Sequence, residues 1–147
     1  MKKLLGLLAL TFLVLFLLIQ LVPYGREFTN PPIIQDAPWT SLQARQVAQR
    51  ACYDCHSNET IWPWYSRIAP ISWLVYRDVQ EGRSELNFSE WGRGEQEVED
   101  IGEVVAEGKM PPLQYLLAHP SARLSAVDKA LLEGGLAGIE RETDDDD

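Results

Sequence analysis

Between Leu4 and Val22 lie nineteen residues that are almost all Leu, Val, Ile, Phe and Ala, with Gly6, Thr11 and Gln20 as the only interruptions. As a helix this run would be roughly 28 Å long at about 1.5 Å per residue, close to the hydrocarbon thickness of a bilayer. No small soluble core has room for it, so it predicts a single N-terminal transmembrane helix within residues 1–23. A signal peptidase would need small residues at the first and third positions before its cut. The exit Ile19-Gln-Leu-Val-Pro-Tyr-Gly25 has no such pair, which favours an uncleaved anchor over a cleaved signal peptide. Lys2 and Lys3 precede the run, and positive residues stay on the cytoplasmic side. The expectation is a single-pass protein of the inner (cytoplasmic) membrane whose domain faces the periplasm or the outside.

Beyond the anchor the chain divides by composition. Residues 24–38 are proline-rich and lack a helical period, which predicts an extended linker. Residues 39–140 are enough for one core, and 141–147 end in the acidic tail Asp144 to Asp147. Apart from the two N-terminal lysines the chain holds 11 basic against 22 acidic residues, about −11. That balance excludes a nucleic-acid partner and suits a solvated exported domain.

Helix signals recur along the domain while strand signals do not. Thr40 with Gln43 has the form of a capping box ahead of Leu42, Val47, Ala48 and Ala51. A second helix is expected after Pro70, with Ile71, Leu74, Val75 and Val79 apolar and Gly82 near its end. A third spans about Glu95 to Glu107 and stops at Gly108. The last begins at Ser125, paired with Asp128, and carries Val127, Ala130 and Leu131. Its Gly134, Gly135 and Gly138 imply either fraying or close helix crossing.

The domain contains one pentapeptide that names a chemistry, Cys52-Tyr-Asp-Cys55-His56. Two thiols one helical turn apart can each add across a haem vinyl group, and the next imidazole is then placed to ligate the iron. A redox dithiol would not need His56, and a zinc site would need two more soft ligands, for which the whole chain offers only His56 and His119. The expected cofactor is therefore one haem c, covalent through Cys52 and Cys55, with His56 as the proximal metal ligand.

The second axial ligand decides function. Met1 is at the cytoplasmic end, so a thioether ligand can only be Met110, in the stiff loop Gly108-Lys-Met-Pro-Pro112. His119 is the competing ligand, and would give a lower potential. The aromatic stretch Ile61-Trp-Pro-Trp-Tyr-Ser66 offers Trp62, Trp64 and Tyr65 as walls of a dry cofactor pocket, with ordinary core as the plainer reading. Arg67, Arg77 and Lys109 are cations available to haem propionates or simply to solvent.

These residues also resemble a known family. Cys52-x-x-Cys-His-Ser-Asn58, Trp62-Pro-Trp-Tyr-Ser66, Glu81-Gly-Arg83, Gly108-x-Met-Pro-Pro112, Tyr115 and His119-Pro-x-Ala-x-Leu-Ser125 are similar to the bacterial haem-binding domain family related to c-type cytochromes. The resemblance covers about Val47 to Ala137 and departs from it at Gly134-Gly-Leu-Ala-Gly138, where a tryptophan-bearing helix is expected. It implies haem binding and places Met110 by analogy with the methionine loop of small cytochromes c. Together these readings predict an all-α, small cytochrome c-like domain around one covalent haem, preceded by the anchor. The expected role is single-electron transfer with a redox partner protein and no enzyme activity. A haem-based gas or redox sensor with an open distal position is the alternative, and a peroxidase-like site would want distal acid/base residues that only His119 could supply.

Overall fold

The computed structural model describes residues 1–93 and 99–143; the start of the third expected helix at 95–98 and the tail 144–147 lie outside the described residues. Among the described residues the chain is all-α. Its helices are α1 (Lys2–Ile19), α2 (Leu42–Ala51), α3 (Tyr53–His56), α4 (Ile71–Glu85), α5 (Glu99–Ala106), α6 (Leu113–Ala118) and α7 (Ala126–Thr143), with 3-10 turns at Trp64–Arg67 and Pro120–Ala122. No strand occurs among them, only an isolated parallel bridge between Gln35 and Glu90.

The chain divides into two compact units. The first comprises Met1–Thr29 and Trp62–Asp78, and the second Asn30–Ile61 and Val79–Asp147. In the first unit α1 is long and apolar enough to cross a membrane, with mean hydropathy 2.3 and no buried residue. Its end is tied to the 62–78 segment by Gln20, whose Nε2 donates to the Ala69 carbonyl and whose Oε1 accepts from the Ala69 amide, both at 3.0 Å.

The second unit is built on an aromatic cluster. Phe88, 2 % exposed, stacks on Tyr53 with ring centroids 5.4 Å apart and meets Trp39 at 5.1 Å. The indole N–H of Trp39 donates to the Tyr53 hydroxyl at 2.9 Å, which in turn donates to Asp36 at 3.1 Å. Around this cluster α2 packs on α7, and α5 on α7. The crossing of α2 and α7 depends on Gly135: a Cβ there would lie 2.5 Å from the Ala44 Cβ. Close crossing, not fraying, is thus the role of this glycine, and α7 continues through it to Thr143.

Several local expectations are corrected. The N-cap of α2 is Ser41, whose hydroxyl accepts from the Ala44 amide at 3.1 Å, while Thr40 donates to the Gly134 carbonyl instead. Val47, Ala48 and Ala51 are buried as expected, but Leu42 is exposed, because the face that 47, 48 and 51 share at helical spacing includes Ala44 and not residue 42. Likewise Val127 is exposed and Leu132 buried in α7. The Ser125–Asp128 capping box does form: the Ser125 amide donates to the carboxylate at 2.8 Å and the Asp128 amide to the Ser125 hydroxyl at 3.1 Å. Gly108 takes φ +74 and ends the turn after α5, a conformation L residues disfavour. Residues 34–37, read as part of a spacer, belong to the fold. The amides of Ile34 and Ala37 donate to the Ser89 and Phe88 carbonyls, each at 2.9 Å, and Ala37 is buried.

Candidate functional site

Cys52 closes α2 and opens α3. Its amide donates to the Ala48 carbonyl at 2.7 Å, and its own carbonyl accepts from the amides of Cys55 and His56 at 3.1 and 2.9 Å. One turn of chain thus carries both sulfurs and the imidazole, and no disulfide joins the two cysteines.

The His56 ring is oriented by backbone. Its Nδ1 lies 2.9 Å from the Gly82 carbonyl oxygen and 3.2 Å from that of Leu86. Carbonyls only accept, so Nδ1 carries the proton and Nε2 keeps its lone pair. Burial pushes the His56 pKa below its ordinary value against the opposing pull of these two carbonyls, which favours the neutral ring that a metal requires. The arrangement exists because residue 82 is glycine. A Cβ on Gly82 would stand 2.6 Å from the Cys55 carbonyl oxygen and 3.0 Å from its carbon, so α4 can lie against the α3 backbone only without one.

The two residues between the cysteines hold the turn from opposite sides. Tyr53 enters the aromatic core, and its carbonyl accepts from the Ser57 hydroxyl at 2.7 Å. Asp54 faces the other way: Oδ1 accepts from the Ile61 amide at 2.9 Å and Oδ2 from the Tyr115 hydroxyl at 2.7 Å. Downstream, Arg83 donates to the Ser57 carbonyl at 2.8 Å, and the Phe88 amide to the His56 carbonyl at 2.8 Å. The buried side chains Asn58, Asn87 and Ser89 close a further set of bonds behind the turn.

Of the two distal candidates, Met110 lies in the loop between α5 and α6 and is 38 % exposed. The helix after it, α6, has no buried residue and is bound to the α3 turn by Tyr115. His119 stacks on the Tyr115 ring at 4.1 Å, and its Nδ1 lies 3.2 Å from the Tyr115 carbonyl. Met110, His119 and the Cys52–His56 turn all belong to the second unit. Trp62, Trp64 and Tyr65 belong to the first. There Trp62 meets Phe28 edge-on at 5.4 Å, Trp64 meets Tyr65 at 5.8 Å, and Trp64 is 76 % exposed. Among the cations, Arg67 lies over the Phe28 ring, Arg77 pairs with Asp78 and Lys109 with Glu107.

Sequence reading missed Gly82 as a contact residue and Tyr115–Asp54 as a pair. Neither has a local signal, since 26 and 61 residues separate the partners. Helix α6 was also missed; its only sequence mark is the proline pair before it.

A family model described as a haem-binding domain matches residues 14–137, most of the chain. The chain belongs to this haem-binding domain family. No curated protein and no solved structure matches the chain. The donor set suits the family's cofactor. His56 offers a neutral, oriented Nε2, while no group of three His, Cys, Asp or Glu side chains able to cage a bare ion exists among the described residues. Cys52 is also a poor redox thiol, because burial, aided by Cys55, pushes its pKa up to about 12, opposite to the shift a reactive thiolate needs.

Proposed function

We propose that this haem-binding domain is a membrane-tethered, monohaem c-type cytochrome-like protein that passes single electrons to a redox partner on the periplasmic or outer side of the cytoplasmic membrane. The observation that carries the reading is the protonated, carbonyl-bound Nδ1 of His56 on the same turn as two thiols spaced for the vinyl groups. When bound, iron porphyrin supplies a one-electron couple at a potential set by its axial ligands. Cys52 and Cys55 would hold it by thioether bonds, and His56 Nε2 and Met110 would be its two iron ligands. The α3 turn is fixed by Tyr53 on one side and Asp54 on the other, so His56 would be presented to the iron in one orientation. Such a role calls for no catalytic residue.

A sensor reading, with a distal position that opens to a diatomic ligand, draws support from one feature: Met110 is exposed and the helix after it buries nothing. Expression of the full chain with a cytochrome c maturation system separates the possibilities. Covalent attachment predicts a haem-stained band on a denaturing gel that vanishes when Cys52 and Cys55 are both changed to Ala; staining that persists refutes it. A sulfur-to-iron charge-transfer band in the ferric protein reports Met110 ligation, whereas immediate CO binding by the reduced protein selects the sensor.

A further inference from the structure

The aromatic 62–78 segment has its own packing partner within the first unit, and that partner is the exit of α1. Gln20 clips Ala69 through both ends of its amide. Gly25, at φ +71, lets the backbone pass so close to α4 that a Cβ would lie 2.9 Å from the Ser72 carbonyl oxygen. Tyr24 meets Tyr76 edge-on at 5.3 Å, and Phe28 sits between Trp62 and the Arg67 guanidinium. This docking leaves apolar side chains outward: Trp64 at 76 %, Leu21 at 75 %, Ile71 at 47 % and Leu74 at 39 %. Trp64 is five residues from Ala69, so it lies within about 18 Å of the residue that Gln20 clips. Charge divides in the same way. The first unit holds five basic residues (Lys2, Lys3, Arg26, Arg67, Arg77) against two acidic ones (Glu27, Asp78), and the second holds eight against twenty.

We propose that residues 62–78 form a collar at the membrane interface, with Trp64, Ile71 and Leu74 bedded at the headgroup boundary of the leaflet where α1 emerges, and Arg67 and Arg77 facing anionic phospholipid. An exposed tryptophan with an apolar body and a polar N–H suits that boundary, and Arg side chains beside it gain from anionic headgroups. The patch continues the lipid-facing surface of α1, and its positive balance sets it apart from the acidic second unit. The collar rests on α1 spanning the bilayer, and it would give Trp64 a lipid contact in place of a cofactor contact.

The test uses the full-length, haem-loaded protein in vesicles of phosphatidylcholine and phosphatidylglycerol, with and without lipid brominated near the headgroup end of its acyl chains. Bromolipid should quench tryptophan emission, and Trp64→Phe should make that loss at least about twofold smaller. The Soret band of Trp64→Phe should stay unchanged. Absence of quenching in protein that floats with the vesicles overturns the collar, as does equal quenching in Trp64→Phe or a Soret shift caused by that variant. Protein that fails to float refutes the anchor itself, a separate result. Trp64 is exposed, so the variant leaves the fold intact.

Discussion

The α3 turn and the Met110 loop, to which the proposed function gives the two iron ligands, are built in opposite ways. The turn is bonded to α4, to the aromatic core and to the 87–89 stretch of backbone, with its histidine tautomer set by two carbonyls. The loop exposes Met110, leads into a helix with no buried residue, and is followed by Tyr115, whose hydroxyl ties that helix to the turn. A ligand held by many contacts keeps its place at any occupancy; one held by few is free to be tuned or exchanged. The molecule thus separates permanence on one side from adjustability on the other.

Breaking the rigid side should have the largest effect. Gly82→Ala places a methyl against backbone atoms that cannot move aside, so it should cost about 3 kcal/mol in urea unfolding and reduce haem incorporation. Gly102→Ala, in the open middle of α5, should instead stabilise by about 0.5–1 kcal/mol, since nothing lies within 4 Å of its Cβ position. If both variants behave alike, Gly82 is a mere helix residue and the contrast between the two sides fails.

On the adjustable side the expected changes concern ligation more than folding. Met110→His should lower the midpoint potential in a redox titration; an unchanged potential would remove Met110 from the iron and favour His119. Tyr115→Phe deletes the single tie to Asp54 while the Ile61 amide still serves that carboxylate. It should cost about 1 kcal/mol and speed exogenous imidazole binding to the ferric protein. An unaltered on-rate would mean that the latch does not govern the loop.

An effect confined to stability lies away from both sides, at the cap of α7. Hydrogen bonds from the Ser125 amide and hydroxyl, with help from Arg50, pull the Asp128 pKa down to about 2 from the ordinary 3.8. A depressed carboxyl contributes stability above its unfolded pKa and loses it as pH falls through the folded value. Asp128→Ala should therefore cost about 1 kcal/mol at neutral pH, with the gap to the unmodified chain closing between about pH 4 and pH 2. A constant gap would show that Asp128 acts through packing alone.

Local chemistry was legible where it is local. The single turn that carries Cys52, Cys55 and His56, the Ser125–Asp128 box and the stop at Gly108 each depend on residues within one or two turns, and each forms in the structure. The cap of α2, by contrast, was read one residue early, and Leu42 was read on the buried face, where Ala44 stands with Val47, Ala48 and Ala51. Glycine was the hardest residue to read. Gly82, Gly102, Gly134 and Gly135 all lie in helices, yet a Cβ would collide only at 82 and 135.

Spacing of like residues along the chain decided that this protein has an apolar span, an all-α domain and one turn that carries Cys52, Cys55 and His56, because helical period and turn length are short-range lengths. Tertiary structure alone decided that Gly82 and Leu86 orient His56, that Asp54 meets Tyr115, and that the 62–78 aromatics pack at the exit of α1. Those contacts join residues 26 to 61 positions apart, and an unoccupied Cβ or a single lone pair leaves no periodic trace from which such a meeting can be read.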